Sequence, residues 1–379
     1  MQTPKRRERR PLRYRIDHLI RGVVMRVIGG LAKQNTTAAI GSSDSIKKIL
    51  LVRANHRIGN AILTLPAVSA FRRKFPQAQI DFVGSPISSL LFQCQPLDDH
   101  YVAPRRFPRV MWQYPGLIRR LRANGYDLAV DVSCSQSGVG SFVVGLSGAR
   151  VRVGLAGKFD YLFNLKIDKL SSANKYRKLR DFLTATGVEP IDEVGSLRFS
   201  PAETIEGLNK LESVVGKKTG KTVGIFVGGR KLRGKRWPLE NFVQLTDGLN
   251  QRGARVVVFL GPEEKDIADS LRAFLPPSIP VIFEPSIRKF AAMVSHLDLL
   301  ICSDSGPMHL ACAVGVRVVA MFLGRDVARW APPSSVARAL SGNECATGAQ
   351  VLEIACEELA HCSRPTEGLS TVGAAASHR

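Results

Sequence analysis

The stretch LDLLICSDSGPMHLACAVGVRVVAMF, residues 297–322, holds two short apolar runs, LLIC and VVAMF, on either side of a helical segment. Runs of this length, rich in β-branched residues, are typical of buried strands. Asp304 or Ser305 suits the N-cap of the helix between them, and Pro307 suits its first turn. Two buried strands joined through a helix predict a parallel α/β unit.

The same alternation extends through most of the chain and predicts two sheets. The strand candidates are 49–53, 80–84, 128–132 and, more weakly, 151–154 in the first half, and 223–228, 256–260, 280–283, 299–302 and 318–322 in the second. Each half predicts a doubly wound sheet, which gives domains 46–200 and 201–364 with a boundary in the region 195–220. Two such sheets side by side would form a cleft between their strand carboxyl ends, where ligands of open α/β sheets bind.

The composition is that of a globular protein with a strong positive charge. The 379 residues include 54 Lys and Arg against 32 Asp and Glu, a net charge of +22. This balance points to an anionic partner, which is a nucleic acid, a membrane surface or a phosphorylated ligand. Seven cysteines without a C-x-x-C pair fit neither a disulfide framework nor a zinc site, so a reducing compartment fits best. Cys302 and Cys312 lie inside apolar runs and are predicted to be core residues.

Residues 1–45 form a separate basic segment, in which positions 1–35 carry ten Lys or Arg and two acids. Its apolar residues follow the period of one helical face: Ile16, Leu19, Ile20, Val23, Val24, Val27, Ile28 and Leu31. Such a helix either lies on an anionic bilayer or packs on the protein's own core, and both interpretations stay open. Arg21 and Arg26 interrupt the apolar stretch, so neither a signal peptide nor a spanning helix is predicted.

Two further expectations concern the ends of the chain. Nucleic-acid binding by the basic segment is not expected, because only Tyr14 is available to stack on a base. The small polar stretch 365–379 is predicted to be disordered.

The turn after the first predicted strand is a candidate ligand site. In ILLVRANHRIGNAILTLPAVSAFRRKF, residues 49–75, the strand ends at Arg53 and Gly59 opens a helix whose early amides attract anions. His56 and Arg57 are placed to reach the predicted cleft. The alternative is an ordinary loop between strand and helix in which Gly59 serves only the bend.

The turn within residues 297–322 is a second candidate. Its free helix amides and hydroxyls suit a diphosphate, and His309 follows one turn inside the helix. Capping alone also explains the local residues, and a lone histidine is more often structural, so both interpretations stay open.

The third candidate is VGIFVGGRKLRGKRWPLENF, residues 223–242, whose glycines and Lys235 have the spacing of a phosphate-binding P-loop. That motif needs Ser or Thr directly after the lysine to hold magnesium, and this chain has Arg236 there. The basic run is therefore not a P-loop. It is either a solvated loop or a phosphate-binding segment whose lysine is aimed by Trp237 and Pro238.

Taken together, these stretches resemble glycosyltransferase family 9, the heptosyltransferases that build the inner core of bacterial lipopolysaccharide. The resemblance covers about residues 48–340. Its motifs here are ILLVR…IGNAILTLPAV, YDLAVDVSCS at 126–135, KRWPLENF at 235–242, GPEE at 261–264 and SDSGPMHLACAVGVRVVAMF at 303–322. It implies two Rossmann-like domains facing each other, the GT-B arrangement. The N-terminal half would bind the acceptor, and the C-terminal half would bind a nucleotide-activated sugar, typically ADP-heptose.

The resemblance also implies roles for individual residues. Lys235 would contact the donor diphosphate, and Glu264 or its neighbour Glu263 would reach the donor nucleoside. The remaining residues of the expected donor site are Gly59, Arg236, Asp304, Ser305, Gly306 and His309. A lysine and helix amides stabilise the charge that grows on a departing diphosphate. The chain contains no D-x-D sequence, so neither a bridging metal nor another cofactor is expected.

One position departs from the family pattern. The family usually has Asp directly after the glycine of the first loop, where it acts as general base on the acceptor hydroxyl, and this chain has Asn60. An amide cannot accept that proton. We therefore expect His56 to be the base, because imidazole titrates near neutrality, and Asp131 at a strand end is the second candidate.

These features predict an inverting, metal-independent glycosyltransferase at the cytoplasmic face of a bacterial inner membrane. Its partners would be a nucleotide-sugar donor, a lipid-linked saccharide acceptor and the anionic membrane surface, with no nucleic acid. The alternative, prompted by Asn60, is a catalytically inactive relative that binds a sugar nucleotide or a lipid.

Overall fold

The computed structural model describes residues 40–104, 109–135, 137–217, 219–228, 237–324 and 326–361. Residues 1–39 of the basic amphipathic segment, the stretch 365–379, Lys235 and Arg236 lie outside these described residues. The chain divides into two units, Met1–Gly195 and Ser196–Arg379. They are called unit 1 and unit 2 below.

Each unit contains one six-stranded sheet in which every pairing is parallel. The strands of unit 1 are β1 (Lys48–Val52), β2 (Gln79–Gly84), β3 (His100–Val102), β4 (Leu128–Asp131), β5 (Val151–Leu155) and β6 (Leu165–Ile167). Those of unit 2 are β7 (Thr222–Phe226), β8 (Arg255–Leu260), β9 (Val281–Phe283), β10 (Leu299–Ser303), β11 (Arg317–Phe322) and β12 (Ala337–Ser341).

Helices connect the strands, as parallel pairing requires. Unit 1 contains α1 (Ile58–Ile62), α2 (Leu65–Lys74), α3 (Pro86–Leu91), α4 (Arg109–Asn124), α5 (Gly138–Leu146) and α6 (Lys175–Ala185). Unit 2 contains α7 (Pro201–Val215), α8 (Leu239–Gln251), α9 (Ala268–Phe274), α10 (Ile287–Val294), α11 (Gly306–Ala313), α12 (Val327–Trp330) and α13 (Gly348–His361). Short 3-10 helices cover Ser43–Ser45, Asp160–Leu162, Pro262–Ile267 and Gly342–Cys345.

The two sheets have the same topology. Their spatial orders are β3-β2-β1-β4-β5-β6 and β12-β11-β10-β7-β8-β9. Both are doubly wound, which confirms the predicted α/β class with two Rossmann-like domains. In each sheet the winding reverses at one place, between β1 and β4 or between β7 and β10. The loops leaving such a pair of strands diverge to opposite faces and leave a crevice, where open α/β sheets bind their ligands.

The sequence predicted all eight central strands and one edge strand, β9. From their second residue to their last, β1 and β2 are buried, and all of β10 is buried, as their continuous apolar runs require when helices cover both faces. Cys302 in β10 and Cys312 in α11 are both buried, as predicted. The three strands that prediction missed, β3, β6 and β12, all lie at sheet edges. Most of their residues are only partly buried or exposed, so they carry no continuous apolar run.

Candidate functional site

The reversal point of unit 1 brings together residues from two neighbouring strands. Val52 of β1 pairs in register with Asp131 of β4. Arg53, the residue after β1, therefore lies at the same sheet edge as the Asp131 carboxyl group. Both side chains are buried, with exposed fractions of 8 % for Arg53 and 3 % for Asp131. Buried charged groups are rare without a partner, so this edge has an unusual concentration of charge.

The Arg53 guanidinium is held by two hydrogen bonds. Nη1 donates to the Val132 carbonyl oxygen at 3.0 Å, and Nη2 donates to Oδ1 of Asn60 at 3.0 Å. The buried Nε has no hydrogen-bond partner among the described residues. Burial lowers the pKa of Arg53 below its ordinary value, and the nearby Cys134 and Asp131 offset only part of this effect. The guanidinium is thus fixed on one side by neutral oxygens, and its charge acts on Asp131.

Asn60 lies inside α1, in the turn that follows β1. Its Nδ2 donates to Oδ1 of Asn55 at 2.9 Å, and the same Asn55 oxygen accepts from the Arg57 backbone N–H at 3.0 Å. The helix begins at Ile58, one residue before the predicted opening glycine, and Gly59 is buried within it. The oxygen and the nitrogen of the Asn60 side-chain amide therefore both make hydrogen bonds to residues between β1 and α1.

The Asp131 carboxyl group rests against the first turn of α5. Its Oδ1 accepts from the Ser133 backbone N–H at 3.0 Å. A Cβ at Gly140 would lie 2.7 Å from Oδ2 and 2.9 Å from Oδ1, so only glycine fits beside the carboxylate. Burial raises the pKa of Asp131 to about 6, against the lowering effects of Ser133 and Arg53. A carboxyl group that titrates near neutrality is suited to general base catalysis.

His56, the first predicted base, lies half-buried in the loop between β1 and α1. The structure thus places His56, Asn60 and Asp131 at one edge of unit 1.

The loop after β4 carries a buried thiol that is influenced by charged groups from other elements. Cys134 has φ +48, a left-handed conformation that is uncommon outside glycine, and it is buried. Burial raises the pKa of its thiol to about 12, and Arg53, Lys175 and Lys178 act in the opposite direction. The two lysines at the start of α6 therefore lie within electrostatic range of the same loop.

The reversal point of unit 2 lies between β7 and β10, where Ser303 ends β10 and α11 begins. Ser305 is the N-cap residue of α11, but its side chain makes no capping hydrogen bond. Its hydroxyl donates instead to the Ser303 carbonyl oxygen at 2.9 Å. The Ser303 hydroxyl is buried and has no partner among the described residues. A helix N-terminus without a side-chain cap presents unpaired N–H groups that suit an anion.

His309 lies inside α11 and is buried, with an exposed fraction of 4 %. Its ring packs edge-on against Trp330, with ring centroids 6.2 Å apart. Burial lowers the pKa of His309 to about 4, so the imidazole is neutral at pH 7. It would therefore contribute hydrogen bonding rather than charge to a bound diphosphate.

The two predicted nucleoside contacts differ in their surroundings. Glu264 is buried in the 3-10 helix after β8, and its Oε2 accepts from the Gly261 backbone N–H at 3.0 Å. Glu263 is exposed. Trp237, which follows Lys235 and Arg236, is buried, and its Nε1 donates to the Cys345 carbonyl oxygen at 2.7 Å. The aromatic residue thus fixes the chain where the basic run ends.

Comparison with known proteins shows the family of this chain. The family model described as glycosyltransferase family 9 (heptosyltransferase) matches residues 116–357. The chain belongs to glycosyltransferase family 9. It is 24 % identical over 294 residues to lipopolysaccharide heptosyltransferase 3 of Escherichia coli, covering 73 % of this chain and 84 % of that protein.

Two solved structures share the fold of this glycosyltransferase. The family 9 glycosyltransferase from Veillonella parvula DSM 2008 has a TM-score of 0.75 and 20 % identity, covering 86 % of this chain and all of that one. The E. coli ADP-heptose lipopolysaccharide heptosyltransferase II has a TM-score of 0.67 and 19 % identity, covering 83 % of this chain and 99 % of that one.

Several residues of the glycosyltransferase's unit 1 edge were not predicted as functional from its sequence: Arg53, Asn55, Cys134, Lys175 and Lys178. An arginine directly after a buried strand was the one available signal, because a long charged side chain there must either reach solvent or find partners. The lysines of α6 lie far from β4 in the sequence, and only the fold brings them together.

The described part of the glycosyltransferase contains no group of three His, Cys, Asp or Glu side chains arranged to hold a metal ion. Nor do its described helices include one long and apolar enough to cross a membrane.

Proposed function

We propose that this glycosyltransferase transfers a heptose from a nucleotide-diphosphate donor, ADP-heptose, to a lipopolysaccharide core acceptor. Membership of family 9 supports the reaction class. The likeness to a lipopolysaccharide heptosyltransferase, over 73 % of this chain, supports the sugar and the acceptor. The observation that carries the proposal is the Asp131 carboxyl group, which is buried beside Arg53 at the crevice of unit 1 and has a pKa of about 6.

In the proposed reaction the acceptor hydroxyl oxygen attacks the anomeric carbon of the heptose. A new carbon–oxygen bond forms as the bond from that carbon to the β-phosphate oxygen breaks, and the electron pair leaves with ADP. Attack opposite the leaving group inverts the anomeric configuration. The acceptor proton passes to the base, so the products are the glycoside and ADP.

Asp131 is the better-supported base in unit 1. The family's carboxylate would stand at position 60, where Asn60 contacts Arg53, and Asp131 is the carboxylate whose charge acts on that same arginine. A carboxylate therefore remains available beside Arg53 although position 60 has lost one. His56 in the same loop is the second candidate.

Donor binding is assigned to unit 2. The uncapped start of α11, with Ser305 and Gly306, would hold the diphosphate through N–H groups, and the neutral His309 supports this turn from inside the helix. Asp304 lies at the start of the same turn. From the family motif, Lys235 and Arg236 would add the positive charge that a departing diphosphate needs. Glu263, exposed, is better placed than Glu264 to meet the nucleoside.

We place the enzyme at the inner face of a bacterial inner membrane, in the cytoplasm and peripherally bound. The basic amphipathic segment 1–45 and a lipid-linked, anionic acceptor both support this location.

The test is release of ADP from ADP-heptose in the presence of rough lipopolysaccharide, with a panel of other nucleotide sugars as comparison. Equimolar ADP release that depends on the acceptor supports the transferase. Tight donor binding with no ADP release, over a range of truncated acceptors, would support an inactive sugar-nucleotide-binding protein instead.

A further inference from the structure

We infer that Asn60 is a positioning residue, whose neutral side chain accepts and donates at once and thereby sets the Arg53 guanidinium against Asp131, as an aspartate could not. The inference rests on the proposed function, because it explains how the enzyme works with asparagine where the family usually has aspartate.

The hydrogen bonds of the loop run in one direction through Asn60. Arg53 Nη2 donates to Asn60 Oδ1 at 3.0 Å, and Asn60 Nδ2 donates to Asn55 Oδ1 at 2.9 Å. Asn55 Oδ1 also accepts from the Arg57 backbone N–H at 3.0 Å. Position 60 must therefore accept from an arginine and donate to a carbonyl oxygen at the same time.

A carboxylate cannot meet both requirements. Ionised aspartate only accepts hydrogen bonds, so an aspartate at position 60 would face the Asn55 carbonyl oxygen with another acceptor. Rotating the Asn55 amide would satisfy the new carboxylate, but it would turn the Asn55 amide nitrogen toward the Arg57 N–H. Either arrangement breaks one bond of the turn that leads into α1, so Asn55 and Asn60 form a matched pair.

The charge of position 60 matters as much as its hydrogen bonds. Arg53 from the end of β1 lowers the pKa of Asp131, and Lys175 and Lys178 from α6 lower the pKa of Cys134 in the loop that follows. A neutral Asn60 leaves the charge of Arg53 to act on Asp131. A carboxylate at position 60 would pair with Arg53 and repel Asp131, and both effects raise the pKa of Asp131.

This arrangement predicts that restoring the family's aspartate impairs the enzyme. In Asn60→Asp, we expect kcat at pH 7 to fall at least tenfold. The acidic limb of the kcat/KM profile should move from about pH 6 to higher pH, with activity recovering as the pH is raised to about 8.5. If the introduced carboxylate instead took over as base, kcat would rise and the acidic limb would move below about pH 6, which would overturn the inference.

Two further variants distinguish an effect of the charge at position 60 from a general loss of stability. Asn60→Ser is neutral and can both accept and donate, so its acidic limb should stay at the wild-type pH even if its rate falls. Asn164 is a matched control. Like Asn60, it is a buried amide of unit 1 that accepts one hydrogen bond and donates another, although its partners are backbone groups. Asn164→Asp should lower Tm without moving the acidic limb. An equal upward move in Asn60→Ser or Asn164→Asp would contradict the charge argument.

A measurement without turnover keeps the inference distinct from the proposed function. In protein labelled with ¹³C at aspartate carboxyl groups, Asp131 is assigned by comparison with Asp131→Asn and titrated in wild type and Asn60→Asp. A higher Asp131 pKa in Asn60→Asp is expected whether or not the protein releases ADP. An unchanged pKa would refute the inference, whereas absence of ADP release from wild type would refute only the function.

Discussion

Arg53 and Asp131 are buried at the ends of adjacent parallel strands, and each charge opposes the effect of burial on the other. Burial disfavours the charged form of both groups, so each is stabilised in that form by its neighbour. The pair is not a closed salt bridge, because the guanidinium donates its hydrogen bonds to Val132 and Asn60. Asp131 thus stays at a pKa of about 6, which suits a base rather than a structural ion.

Asp131→Asn should remove activity and stabilise the fold. Loss of a general base typically costs about 10²–10⁴-fold in kcat. The folded-state pKa of Asp131 is raised, so the folded protein is more stable with this carboxyl group neutral than with it ionised. The stability of the neutral form is present below pH 3.8 and is lost as the pH rises through about 6. Since one pKa unit corresponds to about 1.36 kcal/mol, the variant should be more stable than wild type by ~3 kcal/mol at about pH 8.

Urea unfolding at about pH 4 and about pH 8, together with ADP release, tests both halves of this prediction. The stability gain should be nearly absent at the lower pH. Asp168→Asn, an exposed position of the same unit, should change neither quantity. His56→Ala is the competing variant: if it abolishes turnover while Asp131→Asn does not, His56 is the base.

Ser305→Ala should weaken donor binding with little effect on stability. The Ser305 hydroxyl donates to the Ser303 carbonyl and makes no capping bond, so its removal should cost well under the ~1 kcal/mol of a true N-cap. The dissociation constant of ADP, measured by calorimetry, should rise several-fold because a hydroxyl beside the diphosphate is lost.

The matched variant is Ser286→Ala, because Ser286 does cap its helix by accepting from the Lys289 N–H. It should lower the free energy of unfolding by ~1 kcal/mol and leave ADP affinity unchanged. The reverse outcome for the two serines would place the diphosphate away from α11.

Lys235→Ala should reduce kcat about 10²-fold or more, as loss of one group that stabilises a developing oxyanion does. The family motif assigns this lysine to the diphosphate, and Trp237 anchors the chain just after it. Circular dichroism and Tm should match wild type. Lys217→Ala, an exposed lysine of the same unit, is the control and should keep full activity. Normal turnover in Lys235→Ala would remove this lysine from the site.

Reversing charge in the basic segment should weaken membrane binding. In full-length Arg21→Glu/Arg26→Glu, binding to vesicles containing anionic lipid should fall at least tenfold, because each basic residue near such a surface contributes ~1 kcal/mol. Activity on a soluble, delipidated acceptor should be unchanged. Lys217→Glu/Arg272→Glu, an equal change at two exposed positions of unit 2, should leave vesicle binding close to wild type. Unchanged vesicle binding with a lower Tm would instead indicate that the segment packs on the protein.

Whether a strand could be predicted from the sequence depended on how completely it is buried. Strands such as β1 and β10 are covered on both faces, so they must be continuous apolar runs and can be recognised in the sequence. The edge strands β3, β6 and β12 are covered less completely, and their mixed composition does not distinguish them from loops.

The same limit applies to the site. His56, Asn60 and Asp131 were predicted as site residues, but the role proposed for Asn60 depends on Arg53 and Asn55, which reach it only in the folded loop. The pKa of Asp131 depends on the burial of its carboxyl group between β1 and α5, which no local pattern records. Lys235 and Arg236 remain predictions from their motif.

The repeated strand order of the two units has an evolutionary consequence. Each sheet completes its own six-stranded ladder and carries its own crevice, so neither half relies on strands of the other to form its binding edge. If the acceptor binds at the loops after β1 and β4 and the donor at β10 and α11, as proposed, changes in acceptor choice can accumulate in the first set of loops while the donor site is inherited unaltered. We therefore expect recombination near Gly195 to yield working chimeras that take the acceptor range of one parent and the donor of the other.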